Sequence, residues 1–161
     1  MNFTVRRMNE VDIYGVAKLN QECFSGNRDN SEMAALWISS NFAAYPRMQY
    51  FVAEDESGIV GYILWMEKGG FRKEAVLELE QIGVAASQRG KGIGIKLIEE
   101  SLREIKKFLA DQGRRLKLVE VTTGTENEAQ RLYKKTLGAE PECIIKELFR
   151  GDELVMIARN P

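Results

Sequence analysis

Polar and apolar residues alternate with the period of a strand in some stretches of the chain and recur at helical spacing in others, and the two patterns interleave. Phe3-Thr4-Val5 alternates as a short strand. Asn9 offers an N-cap, and Ile13, Val16, Ala17 and Phe24 share one face of the helix it opens. A polar turn over 25–30 precedes a second predicted helix over 31–44, stopped by Pro46. Residues 49–54 and 59–67 read as a hairpin around Glu54-Asp55-Glu56-Ser57-Gly58. After Gly69-Gly70, a long strand is predicted over 74–84, with Val76, Glu78 and Glu80 on one face and Ala75, Leu77 and Leu79 on the other. The next helix turns Ile98, Leu102, Ile105 and Leu109 inward and Glu99, Arg103, Glu104 and Lys107 outward, and Gly113 closes it. A strand over 116–122 follows. Thr125-Glu126-Asn127-Glu128 then reads as a capping box for a helix carrying Ala129, Leu132 and Tyr133, closed by Gly138. The pattern ends in a hairpin, 143–149 and 153–158, turning at Arg150-Gly151-Asp152. The resulting order is βααβββαβαββ. It predicts an α/β (α+β) fold with a mixed sheet flanked by helices, and no repeat or linker interrupts it.

Composition narrows the chemistry. At 161 residues, the whole of 1–161 reads as a single domain with a substantial core. A net charge of -1 leaves no basic excess, which disfavours nucleic acid as a partner. No apolar stretch approaches the roughly 20 residues a membrane span needs, and no leader pattern opens the chain. The expected location is therefore cytoplasmic. Cys23 and Cys143 lie far apart without metal-ligand spacing and read as reduced thiols. Histidine is absent, so any acid or base must work without imidazole, and His-based triads and zinc sites are excluded. No metal is expected.

Candidate chemistry gathers at Gln88-Arg89-Gly90-Lys91-Gly92-Ile93-Gly94, between a strand and a helix. Glycines at such a turn let the backbone approach a ligand, and the helix N-terminus favours an anion such as pyrophosphate. Arg89 and Lys91 add positive charge. A Walker A loop would need Ser or Thr after its lysine, whereas Gly92 follows Lys91. A dinucleotide fingerprint would need one more residue between the last two glycines and a βαβ start. Read as R-x-x-G-x-G, the positions Arg89, Gly92 and Gly94 resemble the acetyl-CoA loop of the GCN5-related N-acetyltransferases. A second block, 126–139, with Asn127, Ala129, Tyr133 and Gly138, resembles that family's later helix, with an extra residue before its glycine. Both blocks in this order, with a strand between them, extend the resemblance over nearly the whole chain.

The resemblance implies a mostly antiparallel acyl-CoA N-acyltransferase sheet and transfer of an acetyl group from acetyl-CoA to a primary amine by direct attack on the thioester. It places Arg89, Gly90, Lys91, Gly92, Ile93 and Gly94 on the pyrophosphate. It places Ile82, Gly83 and Val84 along the pantetheine arm, with Gly83 at a bulge and a backbone N–H near Val84 on the thioester oxygen. It makes Tyr133 the acid that reprotonates the thiolate and Asn127 a cofactor contact, although Tyr133 also suits packing and Asn127 also suits capping. Three glutamates compete for the base, in the order Glu80, Glu120, Glu78, and ordered water could replace them all. A carboxylate at Glu120, on a strand face with Leu116 and Leu118, would be partly desolvated.

The acceptor is expected to be a small-molecule amine or a peptide N-terminus, set by the first two helices and the last hairpin. Arg28, Asp29, Trp37 and Tyr45 are assigned to that mouth. The family resemblance also implies a homodimer, with the last hairpin as a contact edge. A non-catalytic acyl-CoA-binding module of the same fold is the alternative, and a nucleotide binder a third.

Overall fold

A computed structural model describes residues 2–24 and 31–161. The elements follow in the order β1 (Thr4–Arg7), α1 (Ile13–Cys23), α2 (Ser31–Ala43), β2 (Met48–Asp55), β3 (Gly58–Lys68), β4 (Glu74–Val84), α3 (Ile93–Asp111), β5 (Arg115–Gly124), α4 (Ala129–Leu137), β6 (Glu140–Ile145) and β7 (Glu153–Arg159). This is the order read from the pattern. The strands make one seven-stranded sheet, β1-β2-β3-β4-β5-β7-β6, in which β4 and β5 run parallel. By contacts the chain divides into two compact units, Met1–Trp65 with Gln81–Leu102, and Met66–Glu80 with Arg103–Pro161.

In the first unit, β1 pairs antiparallel with β2, Thr4 opposite Glu54 and Arg7 opposite Phe51. Arg6 fastens the start of the fold. Its guanidinium donates to both oxygens of Asp12, at 2.6 and 3.0 Å, and to Glu54 at 2.9 Å. Asp12 in turn accepts from the Asn9 N–H at 2.7 Å, so Asn9 first opens a 3-10 turn, Glu10–Asp12, and α1 begins after it. Val16 and Ala17 are buried as the spacing predicts, but Phe24 is exposed and Leu19 and Asn20 complete the buried face. The reason is the helix end: Phe24 is already past the last turn of α1. Residues 60–65 of β3 are buried without alternation, the pattern of a strand covered on both faces. Trp65 is the last residue of this buried run, and its indole N–H donates to Ser101 Oγ of α3 at 2.8 Å.

In the second unit, β4 and β5 pair from Glu74–Arg115 to Glu78–Glu120. β5 continues against β7 as far as Gly124–Glu153, and β6 closes on the far side of β7. The buried face of β4 is Ala75, Leu77 and Leu79, as alternation predicts. Arg114 and Glu67 form a nearly buried ion pair, with side-chain exposures of 9% and 2%. Two expectations fail here. The last hairpin does not turn tightly at 150–152: β6 starts at Glu140 and stops at Ile145. The connection over 146–152 is closed by Lys146 on Asp152 and by the Glu147 N–H on the same carboxylate. The capping box at 125–128 is also absent. Asn127 Oδ1 takes the Ala129 N–H at 2.9 Å, while Gln130 Nε2 donates to the carbonyls of Gly124 and Thr125. Gly138 ends α4 in the left-handed conformation, as expected.

Candidate active site

The glycine loop belongs to the first unit. A short 3-10 turn, Ala86–Gln88, leads into Gly90 and Gly92, whose φ values of +75° and +82° are left-handed. Side chains at these two positions would be strained, so both glycines are required by the turn itself. A Cβ on either would meet nothing within 4 Å, so the loop faces open space. The first intrahelical bond of α3 runs from the Lys96 N–H to the Gly92 carbonyl at 3.1 Å. The amides before it therefore lack intrahelical acceptors, which is the arrangement that takes an anion.

Arg89 donates Nε to the Val84 carbonyl at 3.1 Å. Lys91 donates to the Ser87 carbonyl at 2.9 Å and to Gln88 Oε1 at 2.8 Å. These acceptors are neutral and position the two cations without cancelling their charge. From α1, Glu22 Oε1 accepts the Ala86 N–H at 2.7 Å. Beside the loop, Gln88, Lys91 and Ile93 line a cavity of about 420 Å³ together with Asp55, Glu56 and Ser57 of the β2–β3 turn. The residues present suit a pyrophosphate-bearing ligand. Ile93 would contribute chiefly its backbone, because its side chain is almost wholly buried at the cavity wall.

Of the residues assigned to the pantetheine arm, Ile82 and Val84 are half-buried and Gly83 is buried. A Cβ on Gly83 would lie 2.7 Å from Tyr62 Cε1 and 3.1 Å from Cys23 Sγ. Tyr62 cannot easily move, since its hydroxyl is held by Asn20 Nδ2 at 2.6 Å and Gln81 Oε1 at 3.1 Å. Gly83 is thus glycine because a ring packs on it. The register shift in the β4–β5 ladder falls between Ala75 and Val76, and that ladder ends at Glu78, before Gly83. Cys23 donates weakly to the Val84 carbonyl, and burial pushes its thiol up, away from a reactive thiolate.

The acid and base candidates belong to the second unit. Tyr133 is buried on α4, and burial pushes its phenol up to about 12. Asn127 is exposed, with its side-chain oxygen engaged at the start of α4. Glu78 and Glu120 are cross-strand partners, and Lys68 at the end of β3 joins them. Its ammonium lies 3.1 Å from Glu78 Oε2 and 2.9 Å from both oxygens of Glu120. Burial works against the charge of Lys68, but the bonds from Glu120 and Glu78 outweigh it and hold its pKa above the ordinary lysine value. Glu80 lies two residues farther along the same face and is half-buried. Lys68 is the residue that the sequence reading missed. Its only sequence signal was a cation on a strand preceding two glutamate-bearing strands, and that pattern does not give register.

Trp37 and Tyr45, assigned to the acceptor mouth, are exposed at 42% and 56%, while Arg28 and Asp29 lie outside the described residues. Among the described residues no group of three or more His, Cys, Asp or Glu side chains is placed to hold a metal ion.

Comparison with known proteins decides the family. The acetyltransferase (GNAT) family profile matches residues 13–139, a span that holds both the glycine loop and the Tyr133 helix. The chain belongs to the acetyltransferase (GNAT) family. It is an N-acetyltransferase by that descent. An L-2,4-diaminobutyric acid acetyltransferase of Shouchella clausii is 28% identical over 134 residues, covering 76% of this chain and 71% of the relative. The enzyme of the same name from Halalkalibacterium halodurans is 29% identical over 109 residues, and the chain spans only 53% of its length. The spermidine N-acetyltransferase of Vibrio cholerae in complex with CoA and spermine has the same fold. Its TM-score is 0.74 at 20% identity, over 98% of this chain and 95% of that one.

Proposed function

We propose that this chain forms one domain that transfers the acetyl group of acetyl-CoA to a primary amine of a small cationic molecule, most directly a diamine. The observation that carries the reading is the loop. Two glycines in the left-handed region open a helix N-terminus, flanked by Arg89 and Lys91, which are held by neutral acceptors. In this reading Arg89 to Gly94 grip the pyrophosphate, and Ile82, Gly83 and Val84 hold the pantetheine arm. Asn127 adds a contact from the start of α4.

Acetyl-CoA, when bound, supplies an activated thioester. Tyr133 supplies the proton for the departing sulfur, a role supported by its burial, which keeps the phenol protonated far above neutral pH. Glu80 takes the proton of the attacking amine. Glu120 and Glu78, which share the ammonium of Lys68, follow it in the order of candidates. A cationic acceptor is supported by that same cluster, whose glutamates close on an ammonium group, and by the relatives named for diaminobutyrate and spermidine.

The test compares thermal stability with acetyl-CoA, coenzyme A, ATP and NAD, then follows thiol release with L-2,4-diaminobutyrate, spermidine and a monoamine. Stabilisation confined to the coenzyme A compounds, with thiol release that depends on the diamine, is expected. A larger shift with ATP or NAD overturns the reading. Coenzyme A binding without thiol release, whatever the amine, would instead favour a non-catalytic acyl-CoA-binding module.

Homodimerisation through the last hairpin belongs to the same proposal. All six residues of β6 are exposed at the end of the sheet, with Ile144 at 52% and Phe149 in the following loop at 74%. A monomer in sedimentation at micromolar concentration would reject it. No helix among the described residues is long and apolar enough to cross a membrane, and both cysteines are free thiols, which supports a cytoplasmic location.

A further inference from the structure

Where β4 and β5 begin, the second unit carries a cleft of about 780 Å³ that shares no residue with the glycine loop. Five cations line it, Arg72, Lys73, Arg114, Arg115 and Lys117, against the single carboxylate of Glu74. A chain with a net charge of -1 has thus concentrated like charges in one concave place.

The local ion pairs leave much of that charge unmatched. Glu67, which is not part of the lining, neutralises Arg114. Glu74 must serve both Arg115, which forks onto its Oε1 through Nε at 3.1 Å and through NH2, and Lys117, 3.8 Å from its Oε2. Lys73 acts on the same carboxylate, so three cations hold it below the ordinary glutamate range, Arg115 first among them. Arg72 gives its Nε to the Gly69 carbonyl at 2.8 Å, a neutral acceptor.

Two of the guanidinium groups are also positioned in advance. Besides the Arg72 bond to Gly69, Arg114 donates Nε to the Arg72 carbonyl at 2.8 Å and stands 5.6 Å from the centre of the Phe71 ring. Arg72, held by a backbone carbonyl, keeps its full charge, and both forks lose little freedom when an anion arrives. The volume is that of a small-molecule site, which fits a compact ligand better than a nucleic acid.

We propose that this cleft is a second anion site, which binds a compact polyanion carrying two or more phosphate groups. Glu74 occupies part of it as an internal anion, and the ligand takes the charge that Glu74 leaves over on Arg72, Lys73, Arg115 and Lys117.

Inorganic tripolyphosphate is the probe, titrated by calorimetry into the full chain at fixed ionic strength. Three proteins are compared: the parent, Lys73→Ala/Lys117→Ala and Arg89→Ala/Lys91→Ala. Lys73 and Lys117 are exposed, so the first double variant leaves the Arg114–Glu67 pair in place. Saturable binding to the parent is expected, weakened at least tenfold in the cleft variant and retained in the loop variant. Binding lost only in the loop variant would place the anion at the glycine loop and overturn the proposal. So would the absence of saturable binding, or a response that sodium chloride at the same ionic strength reproduces.

Discussion

Burial keeps the phenol of Tyr133 protonated, which the proposed donation to a departing thiolate requires. Removing its hydroxyl takes away the donor but little packing. Tyr133→Phe should therefore lower kcat by roughly 100-fold or more, the scale of lost general acid catalysis, while leaving coenzyme A affinity nearly unchanged. Steady-state thiol release and calorimetry separate the two. Gly83 tests packing by the opposite change. An added methyl would press on Tyr62 at 2.7 Å, and Tyr62 is tied on its far side to Asn20 and Gln81. Gly83→Ala should cost about 1–3 kcal/mol in urea denaturation. A neutral result would mean that the Tyr62 network yields more readily than its hydrogen bonds imply.

At the scale of elements, α3 and β3 are joined through a buried polar pair, Trp65 and Ser101. Ser101→Ala leaves the indole N–H without its acceptor and should destabilise the protein by about 1–3 kcal/mol, read by chemical denaturation. The elements also separate what the sequence can say from what it cannot. Helix α3 was legible because Ile98, Leu102, Ile105 and Leu109 repeat at its period, and β4 because its glutamates alternate with apolar residues. The double coverage of β3 was not legible, since a continuous apolar run does not name its neighbours. The early end of β6 depends on bonds that Asp152 makes across the loop, outside any strand pattern. At the candidate site the glycine positions could be read directly, because Gly90 and Gly92 answer a local backbone demand. Lys68 could not. Its meaning comes from the register that sets Glu78 opposite Glu120, and register is a property of the sheet.

For the whole molecule, two buried groups, Asp12 and Tyr133, illustrate how stability depends on pH at its acid and alkaline ends. The hydrogen bonds from Arg6 hold the Asp12 carboxyl below its ordinary value despite burial, helped by the Asn9 N–H. Its contribution is fully present above the usual aspartate pKa of about 3.9 and is lost as pH falls through the folded value. Tyr133 acts at the other end. Its phenol, normally at 10.0, is raised to about 12, so its contribution is present below 10 and lost as pH rises towards 12. With no histidine in the chain, nothing of ordinary pKa titrates near 6.5. Urea unfolding across the pH range should give a plateau around neutrality, falling at both extremes. A steep slope centred near pH 6.5 would contradict this assignment.

The bond that the Ala86 N–H donates to Glu22 ties the last turn of α1 to the entrance of the glycine loop. That helix is one of the two assigned to the acceptor side. A ligand that stiffens the loop therefore also stiffens a wall for its co-reactant. Because such coupling is reciprocal, the acceptor must tighten the loop by the same factor. On that assignment either substrate, whichever arrives first, prepares the place of the other through one carboxylate on the first helix.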